Sequence, residues 1–351
     1  MFILAKNKDV VGIDIGSSSV KLVQLKNVKG VYHLLNAGIA PLPPEAIVDN
    51  TLIDSSAIAA AVKGVVSSLG VKVRDVVCSI SGNSVIIRKI VLPAMPVEEL
   101  EDQISWEAEQ YIPFDINDVN MDFQVLSPDI VDPSKMNVLL VASKKDIIND
   151  YISVFSEAGL QLSVVDVDSF AVQNAFEINY EVGNEDVLAL INIGASVLNI
   201  NIVKNGITLF TRDVQMGGNL YNEEIQKQLG VSGVEAESMK ILASEVDYPG
   251  LREVITKVND SITQEIRRSL DFYNSTANDD RIVKMYVSGG GSKVYNLIPM
   301  ISSKIDMDVH IIDPFANLKI SDKEFDPEYI KEISPLMTVA VGLAMRRVGD
   351  K

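Results

Sequence analysis

The sequence predicts an α/β protein built from two related halves. Two segments of the same design lie far apart in the chain, VVGIDIGSSSVKLVQL at Val10–Leu25 and LALINIGASVLNINIV at Leu188–Val203. Each reads as an apolar strand, a turn of glycine and small residues, and a second strand, which is the pattern of a β-hairpin. A third segment, MYVSGGGSKVYNL at Met285–Leu297, predicts a strand that runs through three glycines into a helix opened by Ser292. The repeated hairpin indicates a duplicated fold.

The first half continues beyond its hairpin with a third strand near Val31–Ala40. A helix is expected at Ser55–Leu69, because serine favours the start of a helix and Gly70 favours its end. Together these segments predict a sheet covered by one helix.

The pattern changes after residue 72, where a compact βαβ-type insertion with its own apolar faces is expected. Its predicted elements are strands at Val76–Ile80 and Ser84–Leu92, a helix at Val97–Tyr111, strands at Met121–Leu126 and Val138–Ala142, and a helix at Lys145–Ala158.

The chain then returns to the first half at Leu162–Glu177, as a strand followed by the helix of DSFAVQNAF. From Asp186 the hairpin theme repeats, interrupted by a helical subdomain. The predicted division is 1–72 with 162–185 for the first half, 73–161 for the insertion, 186–221 with 285–351 for the second half, and 222–284 for the helical subdomain.

Composition excludes several classes of function. The net charge of −17 makes nucleic acid an improbable ligand. The single cysteine, Cys78, excludes an internal disulfide, and His33 and His310 have no second histidine or cysteine nearby in sequence to form a zinc site. No run approaches the roughly 20 apolar residues of a membrane span, so membrane contact is expected only through partners. The sequence predicts a cytoplasmic protein.

The two hairpin turns predict a site for phosphate groups. Glycine permits close approach and unusual backbone angles, so successive N–H groups can converge on an anion. In the first turn Ser17, Ser18 and Ser19 add hydroxyl donors beside Gly12 and Gly16, and Lys21 adds a positive charge. Asp14 ends the preceding strand, where its carboxylate would hold Mg²⁺ through water. Each turn alone reads better as an ordinary hairpin, whereas two matched turns favour a phosphate clamp.

In the order of these loops the chain resembles the actin-like ATPase superfamily, which includes actin, heat-shock chaperones, sugar kinases and the cell-division protein FtsA. The resemblance implies an actin-like, ribonuclease H-like fold with an FtsA-type insertion, binding ATP and Mg²⁺. It implies that Gly12–Lys21 contact the β- and γ-phosphates. The residues implied to clasp the phosphates from the other side, or to hold the nucleoside, are Asn192, Gly194, Ala195, Ser196, Gly217, Gly218, Asn219, Glu237, Lys240, Gly289, Gly290, Gly291 and Ser292.

Two central segments, EELEDQISWEAEQYIPF at Glu98–Phe114 and DVDSFAVQNAFE at Asp166–Glu177, resemble the PilM family of type IV pilus assembly proteins. This resemblance extends from Val10 to Arg347. It implies a cytoplasmic ATP-binding scaffold at the inner membrane, bound to the N-terminal cytoplasmic tail of the pilus protein PilN. Other inner-membrane pilus proteins and cytosolic motor ATPases are further partners implied by the family.

The residues for hydrolysis are less complete than those for binding. The resemblance places Asp168 where relatives orient the attacking water, although a helix N-cap is an equally good reading of this residue. Asn192 stands where the superfamily usually has Asp, so it offers Mg²⁺ a weak ligand without charge and cannot act as a base. The sequence therefore predicts ATP binding with slow turnover at most.

The insertion is expected to carry protein contacts. In its helix Leu100, Ile104, Ala108 and Tyr111 form one apolar stripe, and Trp106 lies off that stripe. Trp106 either packs against the neighbouring domain or marks a binding surface. The domain contact is favoured, because large exposed aromatic side chains are uncommon.

Three alternatives share the fold. A small-molecule kinase would need an acceptor pocket and a base near the phosphates, and the sequence identifies neither. A filament-forming bacterial actin would need contacts at both ends of the subunit. A scaffold that has lost its nucleotide is disfavoured by the intact loops GIDIGSSSVK and SGGGS.

Overall fold

A computed structural model describes residues 9–128, 132–245, 247–277 and 280–350, so residues 1–8 of the predicted first half lie outside the described residues. The strands of the described chain are β1 (Val11–Ile15), β2 (Ser19–Val28), β3 (Val31–Pro41), β4 (Ile47–Val48), β5 (Thr51–Leu52), β6 (Asp75–Ile80), β7 (Ile86–Pro93), β8 (Val119–Pro128), β9 (Lys135–Lys144), β10 (Gln161–Val167), β11 (Val187–Ile193), β12 (Leu198–Lys204), β13 (Ile207–Val214), β14 (Ile282–Ser288) and β15 (Val309–Ile311). Its α-helices are α1 (Ser55–Ser68), α2 (Val97–Ala108), α3 (Lys145–Glu157), α4 (Asp168–Asn179), α5 (Gly218–Leu229), α6 (Gly233–Ile241), α7 (Leu251–Thr276), α8 (Leu297–Ile305), α9 (Pro327–Ile333) and α10 (Thr338–Met345).

The two halves form two five-stranded sheets with the same topology. The strand order is β10-β6-β1-β2-β3 in the first sheet and β15-β14-β11-β12-β13 in the second. In each sheet three consecutive strands pair antiparallel. A fourth strand then pairs parallel with the first of them, and a fifth pairs parallel with the fourth. The duplicated α/β fold predicted from the two hairpins is confirmed.

Two central helices hold the sheets together. α4 follows β10 and contacts β11 and β12 of the second sheet, whereas α10 lies near the end of the second half and contacts β1 and β2 of the first. The helices also pack on each other, and a Cβ at Gly342 of α10 would overlap the carbonyl oxygen of Ala171 in α4. Glycine at 342 therefore sets the separation of the two helix backbones.

Outer helices complete the layers. α1 and α3 cover the first sheet, and their buried side chains share one core with β1, β2 and β6. α5, α7 and α8 cover the second sheet and share a larger core with β11, β12 and β14. The long helix α7 supplies a buried apolar residue at nearly every turn, as its three- and four-residue spacing requires.

The insertion is a three-stranded sheet in the order β7-β9-β8 covered by α2. β7 and β8 both run antiparallel to β9, so they are parallel to each other and are joined through α2 as a split βαβ unit. The predicted core stripe is confirmed for Leu100, Ile104 and Ala108, which are buried, while Tyr111 is partly buried against them.

This packed unit is narrower than the predicted insertion at 73–161. β6 lies in the first sheet between β1 and β10, and α3 packs on α1 and β10. Sequence spacing groups these segments with the insertion because they flank it in the chain, but their apolar residues are buried in the core of the first half.

Three local predictions need correction. Asp54, and not a serine, caps α1, since its side chain accepts a hydrogen bond from the N–H of Ala57 at 2.9 Å. No helix opens at Ser292: one 3₁₀ turn spans Gly290–Lys293, and α8 begins four residues later. Trp106 does not pack against a neighbouring domain, because 77% of its surface is exposed.

Within the described residues, the helices are all too short or too polar to cross a membrane.

Candidate functional site

A cavity of about 410 Å³ opens between the two halves, and both sheets and the helical subdomain contribute to its walls. The structure brings most of the residues predicted from sequence to this one cavity. Those that line it are Asp14, Gly16, Ser17, Ser18, Ser19, Lys21, Asp168, Asn192, Gly194, Ala195, Ser196, Gly218, Asn219, Glu237, Lys240, Gly289, Gly290 and Gly291. Gly217 and Ser292 lie beside it and do not line it.

The two hairpin turns are built alike. The N–H of Gly16 donates to the carbonyl of Ser19 at 3.1 Å, and the N–H of Gly194 donates to the carbonyl of Val197 at 2.9 Å. The glycine amides are therefore engaged in closing the turns. The N–H groups that remain to face a ligand belong to the residues after each glycine. The predicted set of converging N–H groups therefore excludes those of Gly16 and Gly194.

Gly12 has a different role from the one expected. It lies inside β1, and a Cβ there would overlap the backbone of α10 at Ala340 and Ala344. This glycine lets the central helix approach the first sheet, and it does not contribute to the turn. Gly12 does not line the cavity, so the structure gives no support to a phosphate contact at this position.

Asp14 and Lys21 form an ion pair at the mouth of the first turn. They are direct partners in the register of β1 and β2, and the Lys21 Nζ lies 3.1 Å from the Asp14 Oδ2. Both side chains are largely buried, with 13% and 12% of their surface exposed. The pair places one positive and one negative group beside the hydroxyls of the first turn, where a phosphate and a cation would both find a counter-charge.

The second hairpin carries amides at the matching positions. Asn192 and Asn199 are register partners in β11 and β12, and the Asn192 Nδ2 donates to the Asn199 Oδ1 at 2.9 Å. The Ser288 hydroxyl donates to the Asn192 Oδ1 at 3.2 Å. Asn192 is therefore held on both sides by neutral partners, and it faces the cavity without charge.

This network reaches across the molecule through Asp213. The Asn199 Nδ2 donates to the Asp213 Oδ1 at 2.9 Å, and the N–H of Gly82 donates to the Asp213 Oδ2 at 2.5 Å. Gly82 belongs to the loop between β6 and β7, so the second sheet is tied to the loop that leads into the insertion. Burial raises the pKa of Asp213, and the bonds from Asn199 and Gly82 act in the opposite direction.

The same loop is fixed from the first half and from the insertion. The Asn50 Nδ2 donates to the carbonyl of Ser81 at 2.6 Å, and the Ser143 hydroxyl of β9 donates to the carbonyl of Ser84 at 2.7 Å. Asn50 itself adopts φ of 63° and lines the cavity. A short loop thus joins the cavity wall, the second sheet and the insertion.

Asp168 begins α4 at the floor of the cavity. Its side chain makes no N-cap bond, so the N-cap reading is wrong, and its Oδ1 accepts from the Ser79 hydroxyl at 2.6 Å. Burial, together with the negative charge of Asp14, raises the pKa of Asp168 to about 7, against the lowering effect of bonds from Ser79 and Ser81. Near neutral pH this carboxyl therefore holds its proton part of the time.

The first residues of α5 support the second turn. The N–H groups of Gly218 and Asn219 donate to the carbonyls of Gly194 and Ala195 at 2.9 and 2.8 Å. The Asn219 Nδ2 also donates to the Ser196 hydroxyl at 3.0 Å. These residues brace the turn from behind while their side chains and Gly218 reach the cavity.

Glu237 and Lys240 line the cavity from α6. The Lys240 Nζ is 2.6 Å from the Glu237 Oε2 and 3.3 Å from the carbonyl of Gly218. The Asn222 Nδ2 donates to the same Glu237 oxygen at 2.6 Å. The predicted pair therefore exists and is oriented by neighbours, with Lys240 the more buried of the two.

The glycines after β14 form the remaining wall. Gly289 adopts φ of 84°, and a Cβ there would overlap the carbonyl oxygen of Ile193, so a side chain is excluded. A Cβ at Gly290 would meet only the Leu336 side chain, at an ordinary contact distance of 3.9 Å. Ser292 turns inward, and its hydroxyl donates to the carbonyl of Gly289 at 2.7 Å. This bare backbone offers a flat surface to a ligand.

Sequence reasoning missed Ser79, Asn199 and Asp213. Asn199 and Asn201 alternate with apolar residues in a strand whose side chains are nearly all buried, and buried polar residues in such a strand are unusual enough to signal a bonded network. Asp213 gives no comparable signal, because its partner Gly82 is 131 residues away.

Comparison with known proteins identifies the family. The sequence profile of type IV pilus assembly protein PilM matches residues 12–348. A solved PilM-PilN type IV pilus biogenesis complex contains a chain that is 27% identical, with a TM-score of 0.87, over 97% of this chain and 98% of that one.

More distant relatives share the fold. MreB5 of Spiroplasma citri bound to AMPPNP is 14% identical, with a TM-score of 0.51, over 95% of this chain and 94% of that one. Cell division protein FtsA of Streptococcus pneumoniae serotype 2 is 23% identical over 274 residues, which are 71% of this chain and 58% of FtsA. The match thus spans little more than half the length of FtsA. With its profile matched almost from end to end and its actin-like fold in place, the chain belongs to the PilM family of type IV pilus assembly proteins.

Proposed function

We propose that this chain is an ATP-binding scaffold of the type IV pilus assembly complex at the cytoplasmic face of the inner membrane, and that it binds the N-terminal tail of PilN. Its likeness to the chain in the PilM-PilN complex, 27% identical over nearly the full length of both, carries the partner assignment. The proposal includes contacts with other inner-membrane pilus proteins and with cytosolic motor proteins, as in the family.

The lining of the cavity is the reason for assigning a nucleotide as its ligand. Two matched turns face each other across it, each followed by amides and hydroxyls that suit phosphate oxygens. Lys21 supplies positive charge on one side, and the bare backbone from Gly289 to Gly291 offers a surface for a flat ring on the other. Glu237 and Lys240 line the same cavity, and we assign them to the ribose and base.

The donors present fit Mg²⁺ bound together with a nucleotide. No group of three or more possible metal ligands occurs among the described residues. Mg²⁺ in nucleotide sites needs only one or two carboxylates, because water and phosphate oxygens complete its shell. Asp14 would hold the ion through water, and Asn192 would contribute at most a neutral oxygen. When bound, the ion would offset the charge of the phosphates.

The residues for hydrolysis are sparse, which agrees with slow turnover at most. Asp168 with a pKa of about 7 can accept a proton from water near neutral pH. Asn192, which lines the same cavity from the second half, brings neither charge nor basicity. We therefore assign Asp168 as the residue that orients and deprotonates water.

Binding of the PilN tail is tested by titrating a labelled synthetic tail into the purified protein with and without ATP and Mg²⁺. Saturable binding followed by fluorescence polarisation supports the scaffold, and any change of affinity with ATP measures the coupling between cleft and partner. Absence of binding in both conditions would contradict the partner assignment.

Nucleotide binding is tested separately by calorimetry on variants of one strand. Lys21→Met removes the cation beside the first turn, whereas Lys26→Met removes an exposed lysine further along β2. We expect ATP affinity to fall at least roughly tenfold for Lys21→Met, since a charge-assisted bond is worth about 1.5–3 kcal/mol, and to stay unchanged for Lys26→Met. Asp14→Ala should abolish the dependence on Mg²⁺; unchanged affinity in that variant would refute the metal assignment.

A further inference from the structure

The outer side of α2 presents an exposed tryptophan. Leu100, Ile104 and Ala108 face the sheet of the insertion and are buried, whereas Trp106 points away from it with 77% of its surface exposed. Burying a large apolar side chain stabilises by about 1.5–3 kcal/mol. A partner that covers an exposed tryptophan gains this free energy on binding. Tryptophan is also among the residues most enriched at the positions that contribute most to binding.

Acidic side chains surround this tryptophan. Glu99 and Asp102 precede Trp106 by seven and four residues, and Glu109, the residue that ends the helix, follows it by three, so all three lie on the face of Trp106. All three are exposed. Glu99 accepts a hydrogen bond from Gln103 at 3.1 Å, which leaves its charge in place. The helix from Val97 to Ala108 contains no lysine or arginine.

This combination selects one kind of occupant. We infer that the outer face of α2, defined by Glu99, Asp102, Trp106 and Glu109, docks a basic segment of a partner protein. An apolar side chain of that segment would cover the indole, and its lysines or arginines would face the carboxylates. An arginine stacked on the indole would gain cation–π attraction as well.

Other occupants are disfavoured by charge. Anionic lipid and nucleic acid carry the same sign as this face and are repelled by it. A second copy of this chain, with a net charge of −17, would bring another excess of negative charge. No residue of α2 lines the cavity between the halves, so this surface is independent of the nucleotide proposal.

The chain carries its own probe for this face, because Trp106 is its single tryptophan. An amphipathic peptide of lysine and leucine, free of tryptophan, is titrated into the full chain while the indole emission is recorded. We expect a saturable blue shift, as the indole leaves water, and an affinity that falls roughly tenfold from low to high salt. A peptide of the same pattern with glutamate for lysine should produce no shift.

Variants locate the binding. With the lysine–leucine peptide dye-labelled, Trp106→Ala should weaken binding at least roughly tenfold, the size of a hot-spot loss. Asp102→Lys should weaken it as well. The matched controls are Phe272→Ala, which removes an exposed aromatic side chain from α7, and Glu223→Lys, which makes the same charge change on α5; both should bind as the parent does.

Three results would overturn the inference. Equal binding of the glutamate peptide would show that charge does not select the occupant. Unchanged affinity of Trp106→Ala would place the basic segment elsewhere. An emission shift that depends on protein concentration alone would make a second copy the occupant. The PilN tail serves as competitor: if it leaves the bound peptide in place, the partner of this face is not PilN, and if it displaces the peptide, the tail of PilN is itself the segment that docks here.

Discussion

The Asp14 carboxylate and the Lys21 ammonium group face each other across the first hairpin at 3.1 Å. The matching positions of the second hairpin hold Asn192 and Asn199, where the Asn192 Nδ2 donates a hydrogen bond to the Asn199 Oδ1 at 2.9 Å. The duplicated fold thus keeps the cross-strand contact and changes its chemistry, since only the first turn carries charge. A cation in the cleft would find its carboxylate on one side only.

The amide pair of the second hairpin predicts the effect of restoring a carboxylate. In Asn192→Asp the donor to Asn199 is lost, and a negative oxygen then faces the Asn199 Oδ1 in a buried site. We expect the free energy of unfolding to fall by about 1–3 kcal/mol, the usual penalty for an unsatisfied buried polar group. Urea denaturation measures it.

The control for this change is Asn205→Asp, in the exposed turn between β12 and β13. It introduces the same charge without losing a buried bond, so its stability should stay within about 0.5 kcal/mol of the parent. Equal losses in the two variants would mean that the Asn192–Asn199 bond contributes nothing.

The crossing of the central helices predicts opposite results for two glycine substitutions. Gly342→Ala places a methyl group onto the Ala171 carbonyl, and two backbones must separate to relieve the overlap. We expect a loss of several kcal/mol, as for severe overpacking. Gly64→Ala in α1 meets open space and should stabilise by about 0.5–1 kcal/mol, because alanine favours helix.

Thermal unfolding followed by circular dichroism distinguishes the two variants. A Gly342→Ala protein as stable as the parent would show that α4 and α10 are not in backbone contact. A loss of stability in Gly64→Ala would show that a methyl group at this position of α1 is not free of contacts.

Much of this fold follows from local patterns, and the departures have physical causes. The two hairpins and the βαβ insertion follow from periodicity and from glycine placement, because those patterns act over a few residues. Most cavity residues outside the first turn are instead implied by the family resemblance. The position of β6 depends on pairing with β1 and β10, and the exposure of Trp106 depends on where neighbouring domains end. Such long-range contacts leave no mark in local spacing.

The residues in and around the cavity also differ in whether the sequence reveals them. Turn residues such as Gly16 and Gly194 are visible in the sequence because backbone geometry demands them. Asp213 is not, because its role depends on a loop that the fold brings to it from another half. Gly12 looked like part of the turn although a helix far along the chain explains it.

The raised pKa of Asp168 predicts a pH dependence of stability. An unfolded aspartate titrates near pH 4, whereas in the folded protein Asp168 titrates at about 7. Between these values the folded state holds the extra proton, so the contribution of Asp168 to the free energy of unfolding falls as the pH rises from about 4 to 7 and is level above that.

Asp168→Asn removes this titration while keeping an oxygen for the Ser79 hydroxyl. Relative to the parent, the variant should gain stability as pH rises through this window, by a total of roughly 4 kcal/mol for three pH units. Urea denaturation of both proteins across this range gives the difference. A difference that stays constant with pH would contradict the raised pKa.

The link between Asp213 and Gly82 predicts how the second sheet restrains the loop that leads into the insertion. In Asp213→Asn one acceptor becomes an NH₂ group, which must face either the Gly82 N–H or the Asn199 amide, both donors. We expect the free energy of unfolding to fall by about 1–3 kcal/mol. Amide hydrogen exchange should become faster than in the parent, and the increase should be largest in the loop from Ser81 to Val85.

Asp122→Asn, an exposed change on β8 of the insertion, removes the same charge and serves as the control. Exchange in the loop should match the parent in that variant. If the cleft between the two halves and the insertion communicate through this loop, Asp213→Asn should also lower any effect of ATP on PilN-tail affinity. The tail affinity without ATP should stay unchanged. Loop exchange that is equal in Asp213→Asn and the parent would show that the Gly82 contact restrains nothing, and the route from cleft to insertion would then have to run through the central helices.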